Sequence, residues 1–318
     1  DNTVHQGVIP TMIAYIIRRL LSAIPTLFVI ITIAFFMMRA APGGPFDRER
    51  QLPPEIEANI LKAYNLDKPV HEQYLDYISN IIRGDFGPSY KYLDFTVTDL
   101  ISAGFPVSLE LGLYAILLAV MVGVSAGTFA ALNQNSRFDY MIMGFAMTGI
   151  AIPNFVMAPL LTLIFGVYLS WLPVAGWGDG AFSHKILPII ALALPQIAYI
   201  ARLTRGSMVE TMHANFIRTA RAKGLMEKVV VVRHALKGGL LPVVSYLGPA
   251  TAAVITGSVV IESIFDVPGI GRYFINGALN RDYPVVMGVV VFYAVLIISL
   301  NLVVDLLYGL LDPRVKVE

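Results

Sequence analysis

The sequence predicts an all-α, polytopic membrane protein. It is read as six transmembrane helices with both termini cytoplasmic, an external insertion after the first span, and a basic cytoplasmic loop between spans four and five. Three observations carry this. The 318 residues are 56% hydrophobic and only 14% charged, with a mean hydropathy of +0.69, whereas soluble domains carry about 25% charged residues. Uncharged runs recur at the length of about 20 residues that a bilayer requires. From Arg202 to Lys237 there are eight basic residues and two acidic ones, Glu210 and Glu227, and positive charge of this density stays on the cytoplasmic side.

Cutting the chain at its charges gives the elements in order. The polar stretch 1–11 precedes a fresh start pattern at Met12 and is set apart as an added or disordered leader. The first transmembrane helix falls in 12–39, around the uncharged run Leu20–Met38. That run of 19 residues exceeds the roughly 7–15 of a signal-peptide core, and Arg18-Arg19 is therefore read as a cytoplasmic anchor rather than an export signal. Residues 40–105 form the one sizeable water-soluble insertion. It carries a helical pattern at Ile56, Ile60, Leu61 and Tyr64, and a second at Tyr74, Tyr77, Ile78, Ile81 and Ile82 that ends at Gly84. It is too short for an independent catalytic domain of usual size and reads as a cap over the spans.

Residues 106–318 hold five further spans, with the loop 205–240 among them. Their uncharged cores are Leu111–Ser136, Tyr140–Gly178, Ile186–Ala201, Gly238–Ile261 and Tyr283–Val304. Tyr140–Gly178 is too long for one ordinary helix. Its tail, with Trp171, Pro173 and Trp177, suits a headgroup-level segment, so the stretch is read as one helix plus an interfacial loop. A seventh span would place the basic cluster outside. Gly123 and Gly127 form a GxxxG pair that permits close helix approach. Prolines inside spans (Pro25, Pro153, Pro159, Pro188, Pro195, Pro249) imply kinks.

Catalytic signatures are scarce. Without cysteine there are no disulfides, thiolate metal sites or cysteine nucleophiles. No GxxxxGK[ST] string is present to cradle nucleotide phosphates. The five histidines are scattered without ligand spacing, so no metal site and no catalytic set is assigned. Gly176-Trp177-Gly178-Asp179 matches a GxGD string used by intramembrane aspartyl proteases. That chemistry needs two aspartates sharing a proton, and the best partner, Asp305, falls near the opposite face. Ionisable residues near spans are candidates by default. Glu110 and Glu262 stand at external span ends as candidate pathway or helix-packing residues, with carboxylates reaching for the headgroups as the plainer reading. Asn301, Asp305, Tyr308 and Asp312 share one helix face, as a pathway lining or, by preference, a helix-packing stripe.

The basic loop has its own period. Met208, Met212, Phe216 and Ala220 recur every four residues, so Met208–Ala222 is expected as one amphipathic helix. Gly224 is expected at its left-handed cap, with Arg221 and Lys223 in the last turn, where the helix dipole favours cations. Leu225, Val229, Val232 and Leu236 then restart a helical period. Periodicity alone leaves two uses open, contact with anionic lipid or docking of another protein.

Arg218-Thr219-Ala220-Arg221-Ala222-Lys223-Gly224, followed by His234-Ala235-Leu236, resembles the "EAA" loop of ABC-importer permeases in its peptide-transporter form. Gly84-Asp85-Phe86-Gly87-Pro88-Ser89, Pro268-Gly269-Ile270-Gly271-Arg272, Arg281-Asp282-Tyr283-Pro284-Val285 and Asp312-Pro313-Arg314 resemble further blocks of the same family, in order. The whole is most similar to the B-type permease subunits of bacterial oligopeptide importers. The general motif's Glu and first Ala are replaced here by Arg218 and Thr219, and its closing Leu-Pro stands late, at Leu241-Pro242.

The resemblance implies a multi-pass protein of the bacterial inner membrane with several partners: a second homologous permease, two cytoplasmic ATPases and a periplasmic peptide-binding protein. ATP and Mg would be bound by the ATPase chains, with no cofactor on this one. It implies an ATPase-coupling role for Arg218, Thr219, Ala220, Arg221, Ala222, Lys223, Gly224 and Leu225, and peptide import by alternating access. Dipeptides, nickel or another small solute are the alternative cargo; an intramembrane protease is the remote one.

Overall fold

In the computed structural model the described residues are 3–40, 66–92 and 94–311, with side chains described for 17–40, 66–92, 94–304 and 306. The helical pattern read at Ile56–Tyr64 lies outside the described residues. All named elements among the described residues are helices. They are α1 (Thr3–Ala40), α2 (Val70–Ile82), α3 (Val97–Leu132), α4 (Arg137–Ala151), α5 (Asn154–Leu161), α6 (Phe182–Met212), α7 (Asn215–Ala222), α8 (Leu241–Ile264), α9 (Ile270–Asn280) and α10 (Tyr283–Leu311). α1 begins within the stretch set apart on sequence, at Thr3.

Among the described residues, five segments are long and apolar enough to cross a membrane: Ile17–Ala40, Val97–Leu132, Phe182–Met212, Leu241–Ile264 and Tyr283–Val304. A sixth exists if Arg137–Ala151 and Asn154–Tyr168 form one span, and these two helices are bent by 105°. The long uncharged stretch Tyr140–Gly178 is thus divided inside its apolar part as well as at its tail. The cause is local: Ile152 and Pro153 both take extended ψ values, 118° and 145°, as proline requires of the residue before it. α5 then continues as a π-helical stretch, Thr162–Tyr168.

α3 and α6 begin before their charge-to-charge cuts, whereas Tyr283–Val304 coincides with its cut. α6 extends past Ile186–Ala201 at both ends because its charges are partnered inside the fold. Lys185 pairs with Glu110, and Arg205 with Asp139, while Arg202 lies over the Tyr199 ring at 5.1 Å. α3 likewise starts at Val97, before the boundary drawn at residue 105, and carries Pro106 within it.

The chain divides into two compact units, Arg18–Ser108 with Pro268–Leu296, and Asp1–Ile17 with Leu109–Val267 and Ile297–Glu318. In the first, Val97, Leu100, Ile101, Ile270, Val285 and Val289 form a buried cluster. A second cluster gathers Phe35, Tyr283 and Met287 under Tyr74, Tyr77 and Tyr90. The Phe35 ring centroid lies 5.3 Å from that of Tyr74 and 5.7 Å from that of Tyr77, the spacing of favourable aromatic pairs. α2 ends as expected, with Gly84 at φ +77°. In the other unit, α3 lies against α6 through the GxxxG pair. A Cβ on Gly123 would come within 2.8 Å of the Ile200 side chain, and one on Gly127 would strike the Ala201 carbonyl.

Candidate docking site on the basic loop

The basic loop is built on the end of α6. The helix stops at Met212, and the chain turns at His213 and Ala214, where Ala214 is extended with ψ 150°. α7 then runs over Asn215–Ala222. The single helix expected over Met208–Ala222 is therefore two, and the break resets the helical phase. Ile217 and Ala220 face inward, whereas Phe216, placed on the buried face by the four-residue period, is 52% exposed.

The inward face joins Met208, Val230, Val231, Ala235 and Ala131 in one buried cluster. The segment after α7 is a short turn, Glu227–Val229, then a π-helical stretch Val230–Ala235 and the turn Leu236–Gly239. The wider π-helical winding moves the buried line: Val230, Val231 and Ala235 are inside and Val232 is exposed. Gly239 lets the chain close on α6, since a Cβ there would lie 2.5 Å from the Met208 sulfur.

Arg218, Thr219, Arg221, Ala222, Lys223, Gly224 and Leu225 are all exposed, and Ala220 alone of the eight loop residues is seated in the core. Phe216 and Met226 extend this outward surface, Met226 being 74% exposed; the sequence reading put Phe216 on the opposite face and did not single out Met226. Apolar Phe216, Leu225 and Met226 set among Arg218, Arg221 and Lys223 make a surface with anchors and a cationic rim, the composition of an interface core.

The shape of the turn is held by two devices. Gly224 adopts φ +75° with nothing within 4 Å of a Cβ position, so its constraint is purely conformational. Across it, Arg221 donates through Nε and Nη2 to the two carboxylate oxygens of Glu227, at 3.1 and 2.6 Å. Hydrogen bonding from Arg221 is the largest influence holding the Glu227 carboxyl below its usual value of 4.5, and attraction to its charge adds to it.

The other candidate residues lie apart from this surface. Glu110 does not reach for headgroups: it takes the Nζ of Lys185, whose side chain is buried and whose Nζ also sits 4.6 Å from the Trp177 ring centroid. Glu262 is wholly buried and accepts from Ser258 Oγ at 2.6 Å, so the headgroup reading fails there too. Asn301 keeps a buried Oδ1 without a hydrogen-bond partner. The side chains of Asp305, Tyr308 and Asp312 lie outside the described residues. Asp179 occupies a turn at φ 51°. Among the described residues no group of three or more His, Asp or Glu is placed to hold a metal ion.

Sequence reasoning missed Asp139. It caps α4 as the acidic residue three after Ser136, whose Oγ accepts from the Asp139 amide at 3.3 Å. The capping-box spacing was there to find it.

Two family models match in succession. The N-terminal membrane component of binding-protein-dependent transport systems covers residues 12–111, and the inner membrane component of the same systems covers residues 123–317. The oligopeptide transport system permease protein OppB of Salmonella typhimurium is 57% identical over 96% of this chain and 100% of its own length. The dipeptide transport system permease protein DppB of Bacillus subtilis is 46% identical, over 96% of this chain and 99% of its own. The fold resembles that of the MetNI methionine ABC transporter in an inward-facing conformation, with a TM-score of 0.57 at 14% identity over 67% of this chain and 96% of the other. Multi-pass helices, a basic surface loop and two full-length relatives agree: the chain belongs to the family of binding-protein-dependent transport system inner membrane components.

Proposed function

We propose that this chain is the permease subunit of an ATP-driven importer in the bacterial inner membrane, moving oligopeptides from a periplasmic binding protein to the cytoplasm. The observation that carries the reading is the α7 surface. Its inward residues, Ile217 and Ala220, fasten the helix to the end of a span, while Phe216, Arg218, Lys223, Leu225 and Met226 are exposed. A short helix rooted on a span and presenting anchors outward is a lever for another protein.

In this reading two ATPase chains bind ATP and Mg, and a second homologous permease completes the path. Both termini and the 205–240 loop are cytoplasmic, and residues 40–105 lie on the periplasmic side. Closure of the ATPases displaces α7, and the spans exchange an outward-open for an inward-open arrangement. Such coupling requires contacts that differ between the two states. The bend between α4 and α5 and the proline-bearing spans are suited to such a rearrangement.

Purification in mild detergent tests the assembly. Two ATPase chains and a second permease should copurify, and the reconstituted complex should accumulate labelled oligopeptide only with ATP. A stable single chain that moves peptide alone would overturn the reading. Identity to a dipeptide permease makes peptide length the second arm: uptake of dipeptides in preference to longer peptides would shift the substrate assignment and leave the subunit assignment intact.

A further inference from the structure

The bidentate pair between α4 and α6 has no part in docking and is too well built for a surface ion pair. Arg205 Nε and Nη2 each donate at 2.6 Å to one oxygen of Asp139. Asp139 is 1% exposed, and its Oδ2 also accepts from the Asn135 amide at 2.9 Å. Exposed ion pairs hold little because water screens them and long side chains resist ordering. Here the carboxylate is shielded and its guanidinium partner is planar and two-pronged, which fixes an orientation as well as a distance.

The position of the pair gives it meaning. α4 lies antiparallel along α6 and is fastened at both ends. Its far end presses Gly149 against the Leu194 carbonyl, where a Cβ would come within 2.6 Å. The near end is the Asp139–Arg205 pair, ten residues or about 15 Å earlier along α4. Arg205 stands one turn before Met208, and Met208 is the α6 residue in the buried cluster with Ile217 and Ala220 of α7. The seat of the docking helix and the clamp on α4 are thus adjacent turns of one helix. Beyond its fastened length α4 meets the 105° bend into α5.

We infer that Asp139 and Arg205 are positioning residues that make α4, and through it the bent α4–α5 pair, move as one body with the docking helix. The inference rests on the permease reading above. The two helices pack along their length, but without the pair the near end of α4 loses its oriented hold beside the seat of α7, and displacement of α7 reaches the bend less fully.

The test uses the full transporter complex in lipid nanodiscs. The chain has no cysteine of its own, so M141C and N215C introduce spin labels on α4 and at the start of α7, at exposed positions outside the cationic rim. The wild-type background should give one label-to-label distance, the same without nucleotide and with a non-hydrolysable ATP analogue. In D139N and R205K the distance should change with nucleotide. In the same variants ATP hydrolysis should persist while peptide moved per ATP falls by about tenfold, the scale of an ordinary coupling free energy.

A wild-type distance that changes with nucleotide overturns the inference, and this measurement decides even if the variants fail to assemble. Variants with lowered thermal stability but unchanged peptide per ATP reduce the pair to a structural role and also overturn it. A wild-type complex without ATP-driven uptake would instead overturn the permease reading.

Discussion

The Ser89 hydroxyl donates to the Asp282 carboxylate across 193 positions of sequence, with both groups buried. The amides of Tyr90 and Lys91 donate to the same carboxylate at 3.1 and 3.2 Å. Ser89 Oγ in turn accepts from the Tyr92 amide at 2.8 Å. A buried carboxylate is tolerable only when donors surround it; here three come from one loop, and the Val285 amide adds a fourth at 3.5 Å. The Asp282 amide closes the end of α9 by donating to the Gly277 carbonyl at 2.8 Å, beside Arg281 in the left-handed region at φ 56°. Two sequence blocks that resemble family signatures are therefore one structural node.

Ser89→Ala should lower the stability of the purified chain by about 1–3 kcal/mol, because a donor to a buried charge is lost without replacement. Asp282→Ala should cost more, about 3 kcal/mol or above, since it strands several donors and opens a cavity. Thermal unfolding in detergent distinguishes them. Equal, negligible shifts would show that the node is hydrated in solution.

Two glycines on the long spans should respond with opposite sign. Gly127→Ala forces a methyl onto the Ala201 carbonyl and Thr204, and overpacking of this kind costs about 1–3 kcal/mol. Gly206→Ala meets nothing within 4 Å and replaces a helix-interior glycine, which should stabilise by about 0.5–1 kcal/mol. The same unfolding assay reads both.

Substitutions at Gly224 should rank by backbone preference rather than by size, because no atom crowds a Cβ there. Gly224→Asn should keep transport near wild type, since Asn accepts the left-handed region. Gly224→Ala should weaken it, with strain of about 1–2 kcal/mol. Gly224→Pro cannot reach φ +75° and should leave ATP hydrolysis without uptake. A ranking by side-chain volume would refute the conformational account.

The Arg221–Glu227 pair makes the loop sensitive to acid. Because pairing lowers the folded-state value of Glu227, its contribution is fully present above the ordinary carboxylate value of 4.5. It is lost as pH falls through the lowered folded value. At pH 7 Glu227→Gln should increase amide exchange at Gly224–Met226, and high salt should mimic it, as screening requires for an exposed pair. The remainder of α7, seated by Ile217 and Ala220, should exchange as before.

The end of the helix was legible in residues 218–225, because a basic string ending in glycine carries its own stop signal, and the left-handed Gly224 agrees with it. The face it presents was not. A period of four put Phe216 inside; the break at His213–Ala214 turned it outward and brought Ile217 in. Such a break has no glycine or proline to announce it, and it is favoured by the packing of Ile217 on Met208 and Val230.

By itself the sequence determined the solvent and the class. Apolar run length fixes helices of spanning size, since backbone groups in lipid must satisfy one another. Charge, used as a ruler, misplaced the ends. Lys185 and Arg205 read as boundaries, yet they lie within α6 because Glu110 and Asp139 meet them there. Whether a charge ends a span or is carried inside it depends on a partner 75 or 66 positions away. No local pattern encodes that distance. Only the tertiary structure brings the opposite charges together, and the energy of burying an ion, which is prohibitive alone and modest when paired, turns on that meeting.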